Sequence, residues 1–444
     1  MKNIILILSS FFLFSCSNFY QPAVVSARKE ATQIGLEIMK NGGNAYDAMI
    51  ATHLALAVVH PTAGNIGGGG FFVYHHKDGS SGSLDFREMA PQKAFKDMYL
   101  DENGDVIPDM STLGGAAVGV PGSISAIYKI HSKFGSLPIE DLFEPAIELA
   151  KKGFVVTQKQ SNSLTGKLDD FIKVNGEESL YSKRYYKGDT IKNVKFAETL
   201  SKISKFGPEI FYGGEIGEMI VNSVNKAGGI MTLDDLQNYK SVWRDPVKFK
   251  YKNLDIISMS LPSSGGILIG QMLKTIEDYD LKSFGHNSVK TIQLLVETER
   301  RAYADRSHFM GDPDYMNLPV YELMDKDYVV ERMKNFSWDK ATSSTDVKHG
   351  NIILNESDET THYSIIDKYG NSVSVTTTLN NSYGSKVFVE EGGFFLNNEM
   401  DDFSSKPGHP NFYGLIGSEA NSIQPGKRML SSMTPSIILK NNKP

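Results

Sequence analysis

The sequence predicts a mixed α+β fold on three observations: apolar residues at helical spacing near the N-terminus, a glycine run that opens into a β-type segment, and a period-2 hairpin late in the chain. Between residues 27 and 40, Ala31, Ile34 and Ile38 share one helical face, and Gly42 and Gly43 supply the stop. Asn44 then stands as an N-cap with Asp47 three residues on, and the small, apolar run from Ala45 to Val59 ends before Pro61. Such a helix is expected to be buried. Gly67 to Gly70 lead into Phe71, Phe72, Val73 and Tyr74, a strand entered from a turn that carries no side chains. Residues 123 to 239 mix helical patterns, such as Ile139 to Lys151, with polar connections, and contain no internal repeat. Thr361 to Ile366, a turn over Asp367 to Asn371, and Ser372 to Thr378 read as a hairpin, because Val373 and Val375 alternate with Ser372, Ser374 and Thr376. A last strand, Ser436 to Lys440, runs into the turn pair Asn441 and Asn442, and the sequence stops at Pro444. That strand is expected to lose a partner and keep an unpaired, apolar edge.

The 444 residues allow two or three average domains or one large α/β unit. With 40% hydrophobic and 22% charged residues, the composition is that of a folded globular protein. Net charge is −6, and Lys and Arg are scattered rather than clustered, so the chain has no electrostatic footprint for nucleic acid. A small substrate is the better expectation.

Lys2 precedes an apolar stretch from Ile4 to Phe14, too short to span a bilayer but suited to a signal-peptide core over residues 1 to 15. Leu13, Phe14, Ser15 and Cys16 resemble the lipobox of bacterial lipoproteins, which makes Cys16 an acylated first residue and the protein an exported, periplasmic or outer-membrane-attached one. An ordinary signal peptide with an incidental cysteine is the alternative. Cys16 is the only cysteine, so neither an intramolecular disulfide nor a cysteine zinc site is possible.

Common catalytic patterns are absent: there is no G-x-S-x-G elbow, H-E-x-x-H, P-loop or G-x-G-x-x-G. The informative segment is Glu359-Thr360-Thr361-His362-Tyr363-Ser364, which alone reads as an ordinary strand edge. It belongs to an ordered set of blocks: Lys40-Asn41-Gly42-Gly43-Asn44-Ala45-Tyr46-Asp47-Ala48, His60-Pro61, Gly64-Asn65-Ile66-Gly67-Gly68-Gly69-Gly70-Phe71, Asp85-Phe86-Arg87-Glu88-Met89-Ala90-Pro91 and Gly119-Val120-Pro121-Gly122. Further on come Pro262-Ser263-Ser264-Gly265-Gly266, Ala302-Tyr303-Ala304-Asp305-Arg306, Asn397-Asn398-Glu399-Met400-Asp401-Asp402-Phe403 and Ser431-Ser432-Met433-Thr434-Pro435. In this order and spacing, the set resembles the gamma-glutamyltransferase family along nearly the whole chain.

The resemblance implies a four-layer α-β-β-α sandwich of the N-terminal nucleophile (Ntn) hydrolase type, built as one globule from a segment over residues 16–359 and another over 360–444. It implies a precursor that cuts itself between Glu359 and Thr360, with Thr361 as a neighbour in that step, leaving a large and a small subunit. The chemistry is sound in its own right. A threonine hydroxyl needs a base, and a freed α-amine, with a reference pKa of about 7.7 to 8.0, can serve. By the same resemblance, Thr378 supports the Thr360 hydroxyl. Arg87, Ser431 and Ser432 hold the α-carboxylate of a γ-glutamyl donor, and Asp402, Glu399 and Asn380 its α-ammonium. Tyr413, in the lid-like stretch 407–421, closes over the bound group. His362 is expected to be packed and hydrogen-bonded rather than a general base. The substrates implied are glutathione or other γ-glutamyl compounds, with water, amino acids or peptides as acceptors, and neither cofactor nor metal is called for.

Two other readings stay open: a related amidase such as a cephalosporin acylase or poly-γ-glutamate transpeptidase, and a catalytically dead, lipid-anchored homologue. Family members continue past the point matching Pro444 into a Pro-Gly-Gly-Ser stretch whose amides form the oxyanion hole. The chain as it stands is therefore expected to be poorly soluble and nearly inactive.

Overall fold

The computed structural model describes residues 20–316, 320–343, 346–347 and 360–444. Cys16 and Glu359, and with them the expected signal peptide and the residue before the expected cut, lie outside the described residues.

Local signals set the first layer. Helix Ala45–Val59 forms as predicted, with the Asn44 side chain accepting from the amides of Tyr46 and Asp47 while Asp47 accepts from the Asn44 amide at 2.9 Å. This capping box satisfies donors that the first turn would otherwise leave open. Every residue of the helix is buried, so its small side chains let other elements approach on all sides. Helix Lys29–Lys40 packs alongside. It begins two residues later than the sequence predicts because Ala23–Val25 is drawn into a strand against Thr361–Ile366, which leaves Ala27 in the link.

Six antiparallel strands make the main sheet, in the order Ala23–Val25, Thr361–Ile366, Ser372–Thr378, Gly69–His75, Ser81–Asp85 and Val242–Arg244. Its hairpin of Thr361–Ile366 and Ser372–Thr378 has the predicted bounds. Gly370 supplies a positive φ in the turn, and the Asp367 carboxylate accepts from the amides of Tyr369 and Asn371. A second sheet orders Ser436–Lys440, Leu254–Ser258 and Val247–Tyr251. Ser436–Lys440 is an edge strand, paired with Leu254–Ser258 on one side and with no strand among the described residues on the other, which is the unpaired edge expected.

Side-chain alternation sorts the layers. Phe72, Tyr74, Tyr363, Ile365, Val373 and Val375 enter the large core with helix Ala45–Val59. Phe71 and Val73 point the opposite way and meet Ile257, Met259, Ile437 and Leu439 between the two sheets. Val247, Phe249 and Ile256, on the outer face of the second sheet, pack against Ile267 and Leu268 of helix Gly265–Ile276 and Ala302 of helix Val289–Phe309. The result is the expected α-β-β-α stack.

Gly67 and Gly68 sit where backbones nearly touch. A Cβ on Gly67 would come within 2.1 Å of the Phe395 carbonyl oxygen, and one on Gly68 within 2.1 Å of the Thr378 carbonyl oxygen. Gly68→Ala should therefore displace the end of strand Ser372–Thr378 and destabilise the fold by about 1 to 3 kcal/mol, the usual range for overpacking. Urea denaturation checks this, and an unchanged midpoint would contradict the close approach.

Candidate active site

A cavity of about 410 Å³ opens at the end of the central strands. Thr360 lies at its wall, one residue before strand Thr361–Ile366, and is exposed. The pairing Thr361↔Thr377 carries Thr378, the last residue of the next strand, to the level of Thr360. Thr378 also lines the cavity, and its Oγ1 accepts from the Asn380 amide at 2.7 Å. Asn380 stands at φ 71°, a left-handed conformation that Asn tolerates better than most residues, and its side-chain amide donates to the Asn398 carbonyl at 3.0 Å. Thr361 does not reach the cavity lining; it is buried, and its Oγ1 has no hydrogen-bond partner among the described residues.

On another wall sits a sealed charge cluster. Arg87 is 1% exposed and pairs through Nη1 with Glu399 and through Nη2 with Asp402. Its Nη1 is also 3.6 Å from Glu88, and its Nε donates to the Met429 carbonyl at 3.3 Å. Burial raises the pKa of Glu399, and Arg87 only partly offsets this. Asp402 is raised for the same reason, and Glu88 is pushed up to about 8 by burial. The two acids facing Arg87 belong to the short helical turn Glu399–Asp402, which the Asn397 side chain anchors by accepting from the Glu399 amide at 3.0 Å. A cation and acids held this way, out of water, match the two ends of an amino-acid zwitterion.

Ser431 and Ser432 complete that wall. The Ser431 amide donates to the Pro262 carbonyl at 2.8 Å, and the Ser431 hydroxyl accepts from the Met433 amide at 3.1 Å. The Ser432 hydroxyl is buried and has no hydrogen-bond partner among the described residues. Tyr413 covers the cavity from the 407–421 stretch and donates its hydroxyl to the Asn381 side-chain oxygen. The Phe412 amide reaches Asp401 at 3.2 Å, and the Asn411 side chain reaches Asp402 at 3.4 Å, so the covering segment is fastened to the acidic turn.

Thr360, Thr378, Arg87, Asn380, Glu399, Asp402, Ser431, Ser432 and Tyr413 thus share one cavity, although they come from both ends of the sequence. His362 lines it too, with Nδ1 2.8 Å from the Thr376 hydroxyl and Nε2 3.1 Å from the Ser364 hydroxyl, and burial lowers its pKa. It is packed and hydrogen-bonded, as expected. Reasoning from sequence gave no role to Arg306, Tyr303, Thr376, Leu415, Met433 or Thr434, all of which line the cavity. For Arg306 and Tyr303 a signal existed in the block Ala302 to Arg306, but nothing in that block tells which way a side chain points.

Comparison with known proteins puts this geometry in context. Residues 31–444 match the model of the gamma-glutamyltranspeptidase family. A glutathione hydrolase proenzyme of Escherichia coli is 42% identical over 435 residues, an alignment that spans 95% of this chain and 74% of that protein. The crystal structure of Helicobacter pylori gamma-glutamyltranspeptidase is similar, with a TM-score of 0.72 and 40% identity over 76% of this chain and 97% of that one. A cephalosporin acylase from Bacillus halodurans shares the architecture, with a TM-score of 0.80 and 25% identity over 99% of this chain and 80% of that one.

The charge cluster has a testable energetic signature. Removing one member of a buried ion pair typically costs about 3 to 5 kcal/mol, because the other member is left charged and dry. Arg87→Met removes a positive charge that pulls all three acids down, so their pKa values should rise further. An acid whose folded pKa is raised loses stability as pH climbs from its unfolded value through its folded one. The deficit of Arg87→Met relative to the parent should accordingly be small near pH 4 and grow toward pH 8. Denaturant midpoints across that range measure it, and a deficit independent of pH would contradict the ionic reading.

Proposed function

The chain belongs to the gamma-glutamyltranspeptidase family, and from this premise we propose that it is a glutathione hydrolase and gamma-glutamyltransferase whose nucleophile is Thr360. The observation that carries the reading is the joining, in one cavity, of Thr360 with the buried Arg87, Glu399 and Asp402 cluster. A γ-glutamyl donor has its α-carboxylate and α-ammonium on one carbon, and its reacting amide lies at the far end of the side chain. The cluster takes the first pair, and Thr360 meets the second.

In the proposed reaction the bond between Glu359 and Thr360 is cut first, so that Thr360 gains a free α-amine. That amine removes the hydroxyl proton as Oγ attacks the γ-carbonyl carbon. The tetrahedral intermediate collapses, the C–N bond breaks, and the proton passes to the departing amine. A γ-glutamyl ester on Thr360 remains. Water then attacks the ester to give glutamate, or an amino acid or peptide amine attacks to give a new γ-glutamyl amide, and Oγ recovers its proton. Thr378, whose Oγ1 already accepts from the Asn380 amide, supports Thr360 across the strand pair. The acidic partners of Arg87 favour this reading over a cephalosporin acylase, because they call for a ligand with a free ammonium.

Export as a lipoprotein is proposed on the apolar run Ile4 to Phe14 and the thiol of Cys16. In a bacterial host Cys16→Ser should release the protein from membranes; equal membrane association of both forms would remove that proposal. For the enzyme itself, a version completed with the family's C-terminal segment should yield a C-terminal piece beginning at Thr360, and Thr360→Ala should leave a single band. N-terminal sequencing that finds another start would count against Thr360.

A further inference from the structure

Arg306 is a buried cation that feels the charge of Asp402, an acid already paired with Arg87. It is 4% exposed and lines the cavity, and among the described residues it makes no ion pair. Its Nε donates to the Ser264 hydroxyl at 3.0 Å. Burial lowers its pKa, yet a guanidinium keeps its proton in a protein. Charged groups withdrawn from water are ordinarily paired, so an unpaired one on a cavity wall marks a place where a ligand brings the counter-charge.

Arg87 offers a contrast. Each of its three nitrogens already has a protein acceptor in Glu399, Asp402 or the Met429 carbonyl. It cannot present a wholly open fork to a carboxylate while those contacts last. Arg306 is held on the wall where that carboxylate is expected, because Ser264 donates to the Ser431 carbonyl through both its amide, at 2.8 Å, and its hydroxyl, at 2.9 Å. The neighbouring Ser432 hydroxyl is buried without a partner among the described residues. A cation with open N–H groups and an orphaned hydroxyl on one wall together fit one carboxylate.

We propose that Arg306 is a specificity-determining residue, a second cationic contact that takes the α-carboxylate of the donor together with the Ser432 hydroxyl and alongside Arg87. This rests on the reading of the cavity as a γ-glutamyl site. The test uses the chain continued through the family's Pro-Gly-Gly-Ser segment and two donors, a γ-glutamyl anilide and the same anilide with its α-carboxylate converted to a neutral amide. The parent should prefer the carboxylate form strongly in kcat/KM. Arg306→Gln should raise KM for the carboxylate donor about 10-fold or more, the worth of one charge-assisted bond, and should change kcat less. It should leave the neutral donor nearly unaffected, so the preference shrinks. Arg306→Lys, which keeps charge without the fork, should fall between, and guanidinium ion added to Arg306→Ala should restore part of the preference. If Arg306→Gln weakens both donors equally, or Arg306→Gln and Arg306→Lys keep the parent's preference, Arg306 only braces Ser264 and the inference is wrong. A parent inert toward both donors would instead overturn the reading of the site, and the inference with it.

Discussion

Burial of Arg87 is the constraint around which the site is arranged. A guanidinium 1% exposed requires anions, and the fold provides them from a turn more than three hundred residues away in sequence. The stretch that leaves strand Ser81–Asp85 must therefore stay against turn Glu399–Asp402. Asp85 reinforces this from the other side: its carboxylate accepts from the Arg87 amide at 2.9 Å and pairs with Arg244 at 2.8 Å and Arg428 at 3.4 Å. Through Arg428, whose amide donates to Asp312 at 2.7 Å, the same network reaches the wall that carries Ser431 and Ser432. Polar groups that cannot be left unpaired thus hold the loops around the cavity in one arrangement.

The strands set the other end of the site. Ser372–Thr378 is buried along its whole length and paired on both edges, so Thr378 cannot drift, and the ladder with Thr361–Ile366 fixes where Thr360 emerges. Apolar alternation locks that register, since a slip by one residue would send Val373 and Val375 out of the core. Glycines at 67 and 68 let the neighbouring turn come within contact of the Phe395 and Thr378 carbonyls, which bulkier residues would prevent. Thr360 is placed by strand pairing and the charged wall of the cavity by ion pairs.

Much of this was legible in local sequence. The capping box at Asn44 and Asp47 and the bounds of the hairpin involve residues a few positions apart, where propensity and periodicity act directly. The order of strands was not legible, because pairing of Ala23–Val25 with Thr361–Ile366 is a property of the assembled sheet. The same distinction holds in the site. Motif blocks singled out Arg87, Asp402 and Ser431, but Arg306 lay in a block that carried no directional information, and its open charge shows only once Ser264 and Ser431 are in place around it.

In the proposed reaction Thr360 carries the γ-glutamyl group during turnover. Quenching the protein during turnover of a γ-glutamyl donor, digesting it and locating the acyl group by peptide mass spectrometry tests this. A γ-glutamyl ester is expected on the Oγ of Thr360, on the peptide that begins there. An acyl group found on another residue, with the Thr360 peptide unmodified under the same turnover, would contradict it.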